Sequence, residues 1–233
     1  MAKNDTTIRI QVINNGPYLV QGELPLQEFT IITDEQGDSV QWQLSQTYPA
    51  QTDYALCRCG QSNTKPFCDG SHKIVGFKGT EQVSRSPYLE QAILYEGPVL
   101  SLTDVESLCA YARFCDTNGQ VWRLVEQTDD PKKRQQFIES VSNCPAGRLM
   151  AWHNASQNRY EPELPNSIGL VEDPAIGCSG PIWVRGQIPV ISSDGYYYEC
   201  LNRTALCRCG QSSNKPFCDG THASIRFQAK GKI

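Results

Sequence analysis

Short apolar stretches broken by glycine and proline mark both ends of the chain. The segment GPYLVQGELPL (residues 16–26) has a counterpart in GPIWVRGQIPV (residues 180–190), with these matches: Gly16/Gly180, Pro17/Pro181, Val20/Val184, Gly22/Gly186 and Pro25/Pro189. Alternating apolar residues with turn-forming residues between them predict short β-strands. A further strand-like run follows each segment, FTIITDEQGDSVQWQL in the first and YYYECLNRTALC in the second. The pattern predicts two duplicated β-rich units that form a pseudo-dimer within one monomeric chain.

The first unit is longer than the second, and we expect its extra residues, near Gln41 to Asp53, to form an exposed loop. The middle of the chain has helical periodicity instead. Thr103 and Glu106 fit a capping box at a helix start. Apolar residues then recur at helical spacing and predict an amphipathic helix with this buried face: Val105, Leu108, Cys109 and Ala112.

A second helix is expected to begin at Asp130-Pro131, with the aspartate as N-cap and the proline in the first turn. It should end by Cys144, because Pro145 disfavours helical geometry in the residue before it. These patterns together predict an α+β fold of three parts. Two β-rich units (residues 1–88 and 161–233) flank a small helical middle segment (residues 89–160), and residues 158–166 form a linker.

Two nearly identical strings carry the candidate chemistry. The first string is CRCGQSNTKPFCDGSH (residues 57–72), and the second is CRCGQSSNKPFCDGTH (residues 207–222). In extended backbone, the two cysteines of C-x-C lie on one side of the chain and can bind one iron. A cysteine and a histidine four residues apart share a helix face and can bind a second iron. The candidate ligands are Cys57, Cys59, Cys68 and His72, and again Cys207, Cys209, Cys218 and His222.

Spacing alone leaves other readings of the strings open. Three cysteines and one histidine also suit a tetrahedral zinc ion. Reactive thiols are a third reading, although C-x-C followed by C-x-x-x-H is not a dithiol redox spacing.

Both strings resemble the CDGSH iron–sulfur domain family, the mitoNEET-like proteins. The resemblance rests on C-x-C, a following Ser, the Pro-x-Cys-Asp-Gly step and the final Ser/Thr-His, all present in both strings. It implies one 2Fe–2S cluster per string, with three cysteines and one histidine as ligands. It also implies paired β-rich units that form a dimer or pseudo-dimer. The chain differs from the membrane-anchored members because its sequence has no anchor helix.

A histidine ligand changes what such a cluster can do. Three thiolates and a neutral imidazole leave the site less negative than four thiolates would, which favours electron uptake. Imidazole can also bind a proton near neutral pH, and protonation weakens its bond to iron. We hypothesise that His72 and His222 couple electron uptake and cluster release to pH.

Three further cysteines, Cys109, Cys115 and Cys144, lie in the middle segment. The stretch NCPAGRLMAW resembles the ending of divergent single-cluster ferredoxin-like segments, and LCAYARFC would supply the earlier ligands. Such segments normally use four cysteines, and His153 is the nearest candidate for the missing ligand. The middle segment is therefore either the site of a third iron–sulfur cluster or a cluster-free helical spacer. The remaining cysteines, Cys178 and Cys200, match no ligand spacing and are expected to be structural.

Bulk properties narrow the function classes. The chain carries a net charge of −4 and has eleven cysteines, three histidines and no long Lys/Arg tract. Nucleic acid is therefore not an expected partner. The longest apolar runs are too short to span a bilayer, and the start has no signal-peptide core. We expect a cytoplasmic location, where cysteines are metal ligands or free thiols rather than disulfides.

We predict a carrier of electrons or clusters rather than an enzyme, with a redox protein or an apo-protein cluster acceptor as partner. The alternatives are a zinc-stabilised interaction scaffold and a redox enzyme subunit with a third cluster in the middle segment.

Overall fold

The computed structural model describes residues 8–229, which are mostly β. The strands, in chain order, are β1 (Arg9–Val12), β2 (Tyr18–Gln21), β3 (Leu26–Thr33), β4 (Ser39–Thr47), β5 (Asp53–Leu56), β6 (Ile93–Tyr95), β7 (Leu100–Asp104), β8 (Leu149–His153), β9 (Arg159–Tyr160), β10 (Ser167–Asp173), β11 (Cys178–Arg185), β12 (Val190–Ile191) and β13 (Arg203–Leu206). The strands predicted for the two matched segments are confirmed.

Helices are short, with one exception. The α-helices are α1 (Ser71–Ile74), α2 (Tyr88–Gln91), α3 (Val121–Leu124), α4 (Pro131–Ser142) and α5 (Thr221–Ser224). Single 3-10 turns occupy Glu106–Leu108, Thr117–Gly119, Val125–Gln127 and Pro174–Ile176. Among residues 8–229, no helix has the length and apolar character needed to cross a membrane.

The two ends of the chain exchange strands. One sheet has the order β12-β1-β2-β5, and a second has the order β13-β11-β10-β3-β4. In the first sheet, β12 from the C-terminal unit pairs parallel to β1, with Ile10 opposite Val190. In the second, β3 from the N-terminal unit pairs parallel to β10, with Ile168 opposite Leu26. Each unit therefore completes the sheet of the other.

The exchange follows the sequence repeat residue by residue. The amide of Ile10 donates to the carbonyl of Pro189 at 2.8 Å, and the amide of Ile168 donates to the carbonyl of Pro25 at 2.8 Å. Side chains from both units fill one core between the sheets, which includes these residues: Ile10, Tyr18, Val20, Leu56, Ile168, Ile182, Val184, Val190 and Leu206. Because this core is shared, neither unit could bury its apolar faces alone.

The loop predicted near Gln41 to Asp53 is wrong in its first part. Residues Ser39–Thr47 form β4, an edge strand paired antiparallel to β3. The physical reason is the alternation of Val40, Trp42 and Leu44, which suits a pleated strand, and of these three only Trp42 is half-buried. The Trp42 ring lies 4.8 Å from the ring of Trp183, so part of this strand packs on the sheet.

The middle segment was expected to be helical, and this is wrong for most of it. It forms its own four-stranded sheet, with the order β6-β7-β8-β9, against which α4 packs. The predicted helix at Asp130-Pro131 is confirmed, since α4 runs over Pro131–Ser142 and ends before Cys144. The Asp130 side chain accepts hydrogen bonds from the amides of Lys132 and Lys133. Phe137 and Val141 bury its inner face.

The amphipathic helix predicted from Thr103 is wrong. Thr103 and Asp104 end β7, and only the short 3-10 turn Glu106–Leu108 follows. Asp104 is buried and forms a 2.6 Å ion pair with Arg148, so its carboxylate is already engaged in the sheet. Tyr111 then takes a φ of 55°, in the left-handed region that ends regular helix. The apolar spacing that suggested a helix belongs instead to an irregular loop.

A buried arginine joins the middle segment to the C-terminal unit. Arg203, on β13, has a fully buried guanidinium that donates to the carbonyl oxygens of Val141 at 2.7 Å and Cys144 at 2.9 Å. It also forms a 3.0 Å ion pair with Glu161. These bonds satisfy the buried charge and hold the end of α4 against β13.

Candidate metal centres

Each string begins where a strand ends and then folds back beside it. The Cys57 amide donates to the Pro66 carbonyl at 2.8 Å, and the Cys68 amide donates to Ala55 on β5 at 2.9 Å. Helix α1 follows from Gly70, which takes a φ of 88°. In the second string, the Cys207 amide donates to Pro216 at 2.8 Å, and α5 follows Gly220.

The candidate ligands of each string form two close pairs. In the first site (Cys57, Cys59, Cys68 and His72), the Cys57 and Cys59 Sγ atoms are 3.7 Å apart, and Cys68 Sγ is 3.4 Å from His72 Nδ1. In the second site (Cys207, Cys209, Cys218 and His222), the corresponding separations are 3.9 Å and 3.3 Å. Within residues 8–229, no three Cys, His, Asp or Glu side chains converge as a single metal ion would require.

An aspartate that the sequence analysis counted as part of the motif, without giving it a role, holds each string in shape. Asp69 Oδ1 accepts from the Ser71 amide at 2.9 Å, and Oδ2 accepts from the Asn63 amide at 2.8 Å. Hydrogen bonds from Ser71 and Asn63 hold the pKa of the Asp69 carboxyl well below its usual range. The same aspartate recurs as Asp219 in the second string, and this repetition was the sequence signal that could have indicated its structural role.

Burial controls the protonation of several candidate ligands. It raises the pKa of Cys59 to about 11 and that of Cys218 well above its usual range. It lowers the pKa of His222 to about 4, so this imidazole stays neutral and able to bind metal at neutral pH. In contrast, a hydrogen bond from Cys209 lowers the pKa of Cys207 to about 7. Metal binding at the buried thiols must therefore release protons.

The two strings lie against each other. An added Cβ on Gly60 would meet the carbonyl oxygen of Cys209, and one on Gly210 would lie 2.5 Å from the carbonyl oxygen of Cys59. Both glycines have positive φ, 75° and 80°. Tyr18 adds a bridge between the units, because its hydroxyl donates to the carbonyls of Cys207 at 3.0 Å and Pro216 at 2.9 Å. The two sites are thus in reciprocal backbone contact.

The three middle cysteines border one cavity, although their side chains do not converge on a single point. Cys109, Cys115 and Cys144 line one small cavity of about 30 Å³, with Arg148 beside them. Burial raises the pKa of the Cys115 thiol to about 12. In a C-x2-C-x2-C run, a common iron–sulfur spacing, Ala112 would be the second cysteine.

The other candidates lie elsewhere. His153, at the end of β8, accepts a hydrogen bond from the Ser156 amide at 3.2 Å and is not among the residues around this cavity. Cys178 is buried on β11, and Cys200 is exposed.

Comparison with known families agrees with this arrangement. Residues 15–73 and 179–223 match the family described as iron-binding zinc finger CDGSH type. Residues 95–154 match the family described as divergent 4Fe-4S mono-cluster. Neither a curated protein nor a solved structure matches the chain. The chain is therefore an iron–sulfur protein in which two CDGSH-type iron-binding regions flank a region of the divergent 4Fe-4S mono-cluster family.

Proposed function

We propose that each string binds one 2Fe–2S cluster through three cysteines and one histidine, and that the protein carries electrons. The pairing of the ligands is the observation that supports this best. Two sulfurs 3.7 Å apart can bind one iron, and a sulfur and a nitrogen 3.4 Å apart can bind another. A single zinc ion would instead need all four ligands around one point. A bound 2Fe–2S cluster supplies one-electron redox chemistry.

The chain's own residues support a role in electron transfer. The imidazole ligand makes each site less negative, and backbone amides add positive potential near the sulfurs. The Gln61 amide donates to Cys59 Sγ at 3.4 Å, and the Gly220 amide donates to Cys218 Sγ at 3.4 Å. The reciprocal strand exchange and the contact between the strings support a pseudo-dimer that keeps the two sites together. Cluster transfer is the second candidate, because Cys68 and His72 are partly exposed.

We also propose a third iron–sulfur cluster on Cys109, Cys115 and Cys144. The cavity that all three residues line supports this over the cluster-free spacer. Three thiolates can bind a three-iron cluster, or a four-iron cluster with one iron completed by another ligand.

Iron, acid-labile sulfide and zinc per chain, measured on anaerobically purified protein with its visible spectrum, test these assignments. We expect about seven or eight irons, matching sulfide and a coloured protein. About four irons would support the two strings alone and contradict the third cluster. About two zinc ions and no colour would overturn the redox function.

Replacing His222 by cysteine should slow acid-driven cluster loss from the second site. Imidazole can leave iron by taking up a proton, whereas a thiolate ligand resists protonation more strongly. As the pH falls towards about 4, the value to which burial lowers the pKa of His222, absorbance decay and retained iron should show one cluster outlasting its wild-type counterpart. The control is His153→Cys, which changes the same residue types away from both strings. Equal rates in H222C and wild type would contradict histidine-controlled release.

A further inference from the structure

The two strings have nearly the same sequence but different surroundings. Residues 107–111 of the middle segment, the covering segment, lie over the second site. An added Cβ on Gly220 would be 3.2 Å from Tyr111 Cβ and 3.3 Å from the Cys109 carbonyl oxygen. Asn214 donates to the Ser107 carbonyl at 2.8 Å, which fixes the covering segment to the second string. The middle segment thus closes this site.

The ligands of the covered site are more buried than their counterparts in the first site. Cys218 is 2% exposed and His222 is 3% exposed. Their counterparts Cys68 and His72 are both partly exposed. Around Gly70, no atom of the described residues beyond its chain neighbours lies within 4 Å of the position a Cβ would take.

The surface beside the first site, formed by residues 73–78, combines exposed apolar side chains with lysines. Ile74 is 87% exposed and Val75 is 53% exposed, two and three residues after His72. Lys73 and Lys78 lie beside them. The corresponding positions after the second string are Ala223 and Gln228, and the exposed residues there include a single apolar side chain, Ile225, and a single cation, Arg226. Asp69 is the acidic residue of this string, and its carboxylate is engaged by the amides of Ser71 and Asn63. This surface therefore combines an apolar centre with positive charge, on a chain whose net charge is −4.

We propose that the two sites divide their work: the first is the exchange face, which receives a protein partner with an acidic surface, and the second is closed by the covering segment. The exposed apolar pair gives the partner a contact, and the two lysines attract its negative charge. This inference rests on the proposed metal centres for its function. The difference in accessibility between the sites does not depend on a bound cluster.

The first test uses the metal-free wild-type chain. A brief iodoacetamide pulse followed by peptide mass spectrometry should modify Cys68 at least about tenfold faster than Cys218, since alkylation follows thiol exposure. The comparison is made within one molecule, so it needs no variant to fold. Near-UV circular dichroism first establishes that the metal-free chain is folded. In that folded chain, equal modification of the two cysteines would overturn the closure, whether or not the chain binds iron.

The second test removes the cover. The variant combines Tyr111→Gly with Asn214→Thr. The first change deletes the overlying side chain, and the second introduces the threonine that the first string has at the corresponding position, 64. Glycine accepts the positive φ of position 111, so the change should not strain the loop. Modification of Cys218 should rise severalfold, and Thr64→Asn, the reverse exchange at the open site, should leave Cys68 unchanged. An unchanged Cys218 rate in the uncovered variant would overturn the role of this segment.

The third test examines the charge of the exchange face on the iron-loaded protein at neutral pH. With dithionite present to supply ferrous iron, iron release to the anionic chelator bathophenanthroline disulfonate should have a fast and a slow phase. Lys73→Ala with Lys78→Gln installs the residues of the second unit, and it should slow the fast phase severalfold at low salt. Release to neutral 2,2′-bipyridine should not change, and high salt should remove the difference. An unaltered rate with the anionic chelator would overturn the acidic-partner assignment.

A chain that binds no iron would fail the proposed function in this third test. The alkylation tests would still decide whether the second site is closed. Failure of the two proposals is therefore distinguishable.

Discussion

Gly60→Ala is expected to lower the free energy of unfolding by about 4 kcal/mol or more. Losses of this size are exceptional and arise from causes such as backbone strain and severe steric overlap. Position 60 has a φ of 75°, and an added Cβ would overlap the Cys209 carbonyl oxygen. That oxygen belongs to the backbone of the second string, so relief requires the two strings to separate. The measurement is denaturant unfolding of the metal-free chain, followed by iron content after loading.

Gly37→Ala is the matched control for this prediction. Gly37 has a φ of 88° in the turn between β3 and β4, with nothing in the described residues within 4 Å of an added Cβ beyond its chain neighbours. Gly37→Ala should therefore lose only about 1–2 kcal/mol of stability, which is what a left-handed backbone conformation costs a residue with a Cβ. Iron binding at both strings should suffer in Gly60→Ala and persist in Gly37→Ala. Similar losses of stability in the two variants would contradict the close contact between the strings.

The duplication and the helix α4 could be predicted from the sequence because their signals are local. Pro131 after Asp130 defines a helix start within two residues, and the cysteine strings repeat almost letter for letter. The exchange of β3 and β12 could not be predicted in the same way. A strand's own alternation says which face is buried, but its choice of neighbour depends on residues more than a hundred positions away.

The middle segment shows where a local pattern has two solutions. Thr103 and Glu106 fit a helix cap, yet Thr103 also suits the β-strand that it occupies. Pairing of β7 with β8 and the ion pair between Asp104 and Arg148 decide between them. The positive φ of Tyr111 carries no sequence signature, because the residue is not glycine. The cover over the second site could therefore not be predicted from the sequences of the two strings, which are nearly identical.

Replacing Cys115 by alanine should remove the middle cluster while leaving the two strings loaded. Cys109, Cys115 and Cys144 are the three cysteines that line the cavity, and losing one leaves only two thiolate donors for a cluster there. The iron content should fall by about three or four atoms per chain, which leaves about four irons bound at the two strings. Burial raises the pKa of this thiol to about 12, so a metal must displace its proton. Loading of the middle site should consequently improve as pH rises from neutral.

Cys200→Ala is the control, since it also removes a cysteine thiol but lies outside every candidate site. It should keep the wild-type iron content. An unchanged iron count in Cys115→Ala would show that the middle segment binds no cluster, and loss of all iron would show that the strings depend on it. Only a partial loss, with the spectrum of the two strings preserved, fits three separate centres. That outcome would also give the covering segment a second role, because Cys109 would bind the middle cluster while its carbonyl lies over the second string.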